Sequence, residues 1–222
     1  MHEPSVPGEG PEALWVRPVI GSTTFRDRKH IRSSQARRTM RRTEVSCVLL
    51  PVLVAYSTRT GSTAEVAEVI AEVLREAQLP VEVARMRDLK TLGEYGAAIL
   101  GAPLYMGGMP PEMHRFLSRY RVGLAGMPAW VFVLGPIQGK PEEFNTAGEQ
   151  AAKQLAQSPW LQPVEVKILG GRFDVNHMPF PFNLARHLPA FPAKDIHPSD
   201  IRDWNDIRAW AAGIARLIQP AA

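Results

Sequence analysis

Thr58, Thr60, Ser62 and Thr63 place four hydroxyls around Gly61 within six residues, directly after Ser57 and an apolar run, Val52 to Tyr56. Hydroxyl donors beside a glycine suit a phosphate monoester, provided that a helix begins there and aims its unpaired N–H groups at the same point. The following sequence predicts such a helix from Ser62 to about Ala77. Val66, Val69, Ile70, Val73 and Leu74 recur at three- and four-residue spacing, and Glu65, Glu68, Glu72, Arg75 and Glu76 fill the opposite face. The segment is therefore strand, turn and helix, with Ser57, Thr58, Arg59, Thr60, Gly61, Ser62 and Thr63 as candidate phosphate-binding residues.

Two other phosphate loops fail on these residues. A Walker-type loop needs a lysine before its Ser/Thr, and a Rossmann fingerprint needs three spaced glycines. A simple hydroxyl cap of the helix N-terminus is the remaining competitor. Four hydroxyls and a glycine exceed what one cap requires.

The elements that position this turn follow in alternation. Val81 to Ala84 reads as an outer strand and Ala97 to Ala102 as a buried one. Glu112 to about Tyr120 reads as a helix with Met113, Phe116 and Leu117 on one side. Ala129 to Leu134 is a strand, Asn145 to Gln157 a helix, Val164 to Leu169 a strand, and Trp204 to Ile218 a last helix capped by Asp203. Strands alternating with helices imply an α/β, doubly wound, five-stranded parallel sheet with helices on both faces, and five such units suit the order 2-1-3-4-5. In that topology a ligand lies beyond the carboxyl ends of the strands, at the switch point between the first and third.

The loops after the third and fourth strands complete the predicted site. Pro103-Leu-Tyr-Met-Gly-Gly108 combines an aromatic ring and a thioether with adjacent glycines, which suits a flat ring that takes backbone hydrogen bonds at its edge. The competing reading is a glycine-rich surface turn with Tyr105 packed locally. Gly135-Pro-Ile-Gln-Gly-Lys-Pro141 is the loop after the fourth strand, with Gly135, Pro136 and Ile137 as its candidate binding residues.

The motif Thr58-x-Thr60-Gly61-x-Thr63 resembles the phosphate loop of flavodoxins. That resemblance implies FMN as the cofactor, its phosphate on residues 57–63. Its ring would lie beside Pro103, Leu104, Tyr105, Met106, Gly107 and Gly108, with a second wall at Gly135, Pro136 and Ile137. In flavodoxins that second wall is usually aromatic, whereas this chain offers Ile137 and Gln138. Ser57 to Thr63, Gly101-Ala-Pro-Leu-Tyr105, the Asp203-Trp204 helix start and a long segment before it further resemble the flavodoxin-fold protoporphyrinogen oxidases that use menaquinone. This implies an enzyme that oxidises protoporphyrinogen or a similar hydrophobic donor with a quinone; the alternative is an electron carrier serving a redox-protein partner. In that family the long segment is richer in basic residues. Here it holds Arg172, Arg186 and Lys194.

Charge narrows the partners. The formal net charge is +4, yet Arg26 to Arg42 alone carries eight basic residues and one acid, and from Thr43 onward there are 17 basic and 18 acidic residues. The basicity thus belongs to a leader, residues 1–46, which reads as disordered, and no nucleic-acid partner is expected for the domain at 47–220. Met40 is a candidate start, and the apolar run after the arginine pairs reads as the first strand rather than an export signal. A phospho-receiver on the same fold would need acids after strand one and an aspartate after strand three, where Ser57-Thr58 and Pro103 stand. The single cysteine, Cys47, excludes an internal disulfide and a cysteine-ligated metal cluster, and the histidines show no ligand spacing, so no metal is expected. Met178 to Phe191, rich in proline and apolar residues, reads as a loop against the sheet, a substrate wall or a peripheral contact with the inner face of a membrane. The expected location is cytoplasmic. No catalytic residue is assigned.

Overall fold

A computed structural model describes residues 16–18, 47–173 and 198–219. The expectations for the leader, for Met178 to Phe191 and for His177, His187 and His197 lie outside the described residues, except that Val16–Pro18 (β1) pairs antiparallel with Cys47–Leu49 (β2). The elements that follow are β3 Val52–Tyr56, α1 Ser62–Glu76, β4 Val81–Arg85, β5 Ala97–Pro103, α2 Pro111–Arg119, α3 Arg121–Ala125, β6 Ala129–Leu134, α4 Pro141–Leu155, β7 Glu165–Leu169, β8 Arg172–Phe173, β9 Ser199–Asp200 and α5 Trp204–Ile218.

Five strands form one sheet in the order β4-β3-β5-β6-β7, every pair parallel. Numbered by their place in this sheet, that is 2-1-3-4-5, as the sequence predicts. The three central strands have almost no exposed residue, because helices cover both faces of the sheet. On one face α1 and α5 bury Val66, Ile70, Leu74, Ile207, Trp210 and Ile214 against Val52, Val54 and Ile99. On the other, Met113, Phe116, Leu117, Leu124 and Ala151 close over Leu53, Leu100 and Val131.

The departures from the sequence reading are local. The helix expected from Asn145 begins at Pro141, since proline fits the first helical turn and Glu142 and Glu143 meet the positive end of the helix dipole. The short α3 follows α2 after Tyr120 and lacks the length to show a period. Asp203 caps α5 as expected, accepting from Asn205 N at 2.9 Å and Asp206 N at 3.1 Å.

Between β7 and α5 the chain makes a two-stranded ribbon. Arg172 faces Asp200 and Phe173 faces Ser199, antiparallel. This ribbon, called the neck below, brings Phe173 and Ser199 side by side.

Candidate functional site

The turn after β3 is built by its own residues. Gly61 adopts φ +94°, and an added Cβ would meet nothing within 4 Å, so its glycine character answers to backbone conformation and not to space. The Gly61 N–H donates to Thr58 Oγ1 at 2.9 Å, which closes the turn. Arg85, at the end of β4, supports it from outside by donating from Nη2 to Thr58 O at 2.7 Å. Among the described residues no side chain caps the N-terminus of α1. The hydroxyl-cap reading therefore fails, and the first N–H groups of the helix keep no intrahelical acceptor.

The hydroxyls divide into two sets. Thr60 and Arg59 are exposed. Ser57 and Thr63 are fully buried, and neither Ser57 Oγ nor Thr63 Oγ1 has a partner among the described residues. A buried polar atom without a partner costs about 1–3 kcal/mol. Two of them at one strand-to-helix turn, with an uncapped helix start, fit a ligand rich in acceptor oxygens and fit a phosphate best.

The loop after β5 forms a tight hairpin. Tyr105 N donates to Gly108 O at 2.9 Å and Gly108 N to Tyr105 O at 3.0 Å. Both intervening residues have positive φ, Met106 at 49° and Gly107 at 81°, which suits the twist of a two-residue turn. Met106 at the tip is 92% exposed although it is a large apolar residue. Arg59 spans the gap between the first two loops, with Cζ 5.2 Å from the Tyr105 ring centroid. The locally packed Tyr105 of the competing reading is thus only half-buried, and its ring contact is with Arg59 in the turn after β3.

The third loop is tied to its neighbours. Gly171 N donates to Pro136 O at 2.7 Å. Ser199 Oγ donates to Ile137 O at 2.7 Å, and Gln138 N donates to Glu143 Oε2 at 2.8 Å. No aromatic side chain stands at Gly135 to Gly139.

All three loops lie at the carboxyl ends of β3, β5 and β6, so the fold brings the sequence-predicted residues to one end of the sheet. A hollow of about 330 Å³ lies between the second and third loops, lined by Leu104, Met106, Gly135, Pro136, Ala147 and Gln150. Another of about 540 Å³ adjoins Thr58 and Arg59, with Arg85, Glu112 and Arg115 around it. A hollow of about 580 Å³ sits at the opposite end, near Leu50, Tyr95 and Met127, where the strands begin. Ligands of open parallel sheets bind at the carboxyl ends, so the smaller hollows are the relevant ones. His114 Nε2 lies 2.9 Å from Gln154 Oε1 on α4.

One set of residues beside the turn escaped the sequence reading. The Arg202 side chain is 3% exposed and its guanidinium bridges two carboxylates, with Nε 2.8 Å from Asp200 Oδ1 and Nη1 2.7 Å from Glu65 Oε2. The paired guanidinium holds the Asp200 carboxyl below its ordinary range, and the carboxylates push Arg202 up. Arg202 also covers the Trp204 ring, with 4.5 Å from Cζ to the centroid. Glu65 and Arg202 are 137 positions apart. The only local signal is a basic residue between Asp200 and the Asp203 cap.

A doubly wound parallel sheet with a hydroxyl-lined turn after β3, at the switch point of the strand order, defines the class of α/β proteins that bind ligands beyond the carboxyl ends of their strands. The family profile described as flavodoxin domain matches residues 53–181, more than half of the chain. The chain belongs to the flavodoxin domain family. Over 124 residues it is 25% identical to protoporphyrinogen IX dehydrogenase [quinone] of Escherichia coli K12, covering 55% of this chain and 68% of that protein. Among solved structures, oxidised flavodoxin 1 of Bacillus cereus is 18% identical with a TM-score of 0.48, covering 75% of this chain and 97% of that one. The rubredoxin oxygen:oxidoreductase of Desulfovibrio gigas is 20% identical with a TM-score of 0.45, covering 76% of this chain. This chain spans 36% of that protein's length. Among the described residues no helix is long and apolar enough to cross a membrane.

Proposed function

We propose that this protein is an FMN-dependent oxidoreductase that takes reducing equivalents from a hydrophobic, porphyrinogen-like donor and delivers them to a quinone. The observation that carries the FMN assignment is the pair of buried, partnerless hydroxyls on Ser57 and Thr63. Riboflavin has no phosphate to offer them. In this reading Ser57, Thr58, Thr60, Gly61, Ser62 and Thr63 hold the phosphate. Arg59 and Tyr105 stand between phosphate and ring, while Pro103, Leu104, Met106, Gly107, Gly108, Gly135, Pro136 and Ile137 flank the ring. FMN supplies the ability to take up two reducing equivalents from one molecule and give them to another. The chain's own part is to hold the phosphate, position the ring edge against loop backbone and limit water around it.

The likeness to a quinone-dependent protoporphyrinogen dehydrogenase supports donor and acceptor. A nearly neutral charge from Thr43 onward also favours an enzyme over a carrier, since carriers rely on charged faces for steering. The second reading, an electron carrier serving a redox protein, is favoured by Met106, whose 92% exposure at a loop tip suits transient docking.

Purified protein tests the proposal. It is expected to be yellow, or to become so with added FMN, and to release FMN on denaturation. Colourless protein that ignores FMN would overturn the assignment. Loaded protein is then assayed for protoporphyrinogen oxidation with menaquinone; reduction of a redox protein without quinone turnover selects the carrier.

A further inference from the structure

The phosphate turn has an anion of its own. Glu65 lies in the first turn of α1, and its N–H donates to Gly61 O at 3.1 Å. A carboxylate there suits a helix N-terminus by meeting the positive end of the dipole. The same carboxylate opposes a phosphate dianion at that end, because like charges close together disfavour each other. Two cations from far along the chain oppose that repulsion. Arg202 Nη1 donates to Glu65 Oε2 at 2.7 Å and lies 3.4 Å from Ser62 O, inside the turn itself. Arg172 Nη1 stands 3.5 Å from Glu65 Oε1. Arg172 lies on the ribbon and Arg202 two residues beyond its second strand.

The alternative role for Arg202 is a clasp that only holds α1 to the neck. Its burial favours more than that. Removing a guanidinium from water is expensive, and a clasp between two exposed segments is available without it. Asp200 alone would satisfy one edge of Arg202, yet the other edge is spent on Glu65 and the Ser62 carbonyl.

We propose that Arg202, assisted by Arg172, is a positioning residue for the cofactor phosphate: it neutralises and holds Glu65 so that the first turn of α1 accepts a dianion. Part of the charge balance of the phosphate site is thereby supplied from outside the phosphate turn, beside the charge of Arg59 within it. This rests on the FMN reading above.

The test is a set of flavin titrations on the full chain, following fluorescence quenching with FMN and with riboflavin. Arg202→Met is expected to weaken FMN severalfold, the effect of one unpaired, half-exposed carboxylate on a nearby dianion, and to leave riboflavin within about twofold. Glu65→Gln is expected to tighten FMN severalfold without altering riboflavin. The double variant is expected to return FMN affinity to near the wild-type value, which a lost clasp would not do. Equal weakening of both flavins by Arg202→Met, or no rescue in the double variant, would overturn the proposal. Should Arg202→Met fail to fold, Glu65→Gln decides alone, and unchanged or weaker FMN binding overturns it. Wild-type protein that binds neither flavin would overturn the FMN reading and this proposal together; selective FMN binding with variants that do not discriminate would overturn only this one.

Discussion

Thr63→Val should act in opposite directions on the flavin-free and the FMN-bound protein. Thr63 is fully buried on the first turn of α1, and its hydroxyl has no partner among the described residues. Valine keeps the shape and β-branching and replaces the stranded hydroxyl with a methyl group. An unsatisfied buried hydroxyl costs about 1–3 kcal/mol, so its removal should stabilise flavin-free protein by about 1 kcal/mol and raise its melting temperature by roughly 2–4 °C. A hydrogen bond to a charged group contributes about 1.5–3 kcal/mol, so the FMN dissociation constant should rise roughly ten- to hundredfold. Riboflavin affinity should hardly change. Urea or thermal melts of flavin-free protein, paired with titrations of the two flavins, measure both signs. A variant that melts lower and weakens both flavins alike would show that Thr63 holds the fold, and would refute the assignment of its hydroxyl to the phosphate.

Other variants probe neighbouring features. Gly61→Val should lose about 1–2 kcal/mol of stability and more FMN than riboflavin affinity, while Gly61→Asn, better suited to positive φ, should lose less in urea melts. Gly101→Ala would set a Cβ 2.1 Å from Cζ of the fully buried Phe132. Overpacking of this kind costs about 1–3 kcal/mol, visible in the denaturation midpoint. The Tyr95 hydroxyl donates to Glu82 at 2.8 Å, and burial first, then Glu82, pushes its pKa from 10.0 to about 12. Its folded value lies above its unfolded one, so its stabilisation is complete below pH 10 and is lost as pH rises toward 12. Tyr95→Phe should flatten that alkaline loss in melts taken across the interval.

Local patterns carried most of the fold. The apolar runs at Val52, Ala97 and Ala129 and the three-four spacing of α1 and α5 specify their elements because each buries a face that the sequence alone displays. The strand-to-helix turn was legible for the same reason: Ser57 to Thr63 is one continuous segment. What escaped lacks local periodicity. The α3 segment is five residues and β8 two, too short for a period. Arg202 and Glu65 meet only through the packing of α5 and the neck against α1, and no spacing along the chain encodes that meeting. The state of Ser57 and Thr63 was equally hidden, since their type predicts a hydroxyl but not its isolation.

The β8–β9 ribbon sets Phe173 and Ser199 side by side on antiparallel strands, a pairing of the kind that a two-residue turn such as Asn-Gly spans. A chain shortened between these two positions keeps every residue of the five-stranded sheet. It also keeps Arg172 and Arg202, the two cations that reach Glu65 on α1.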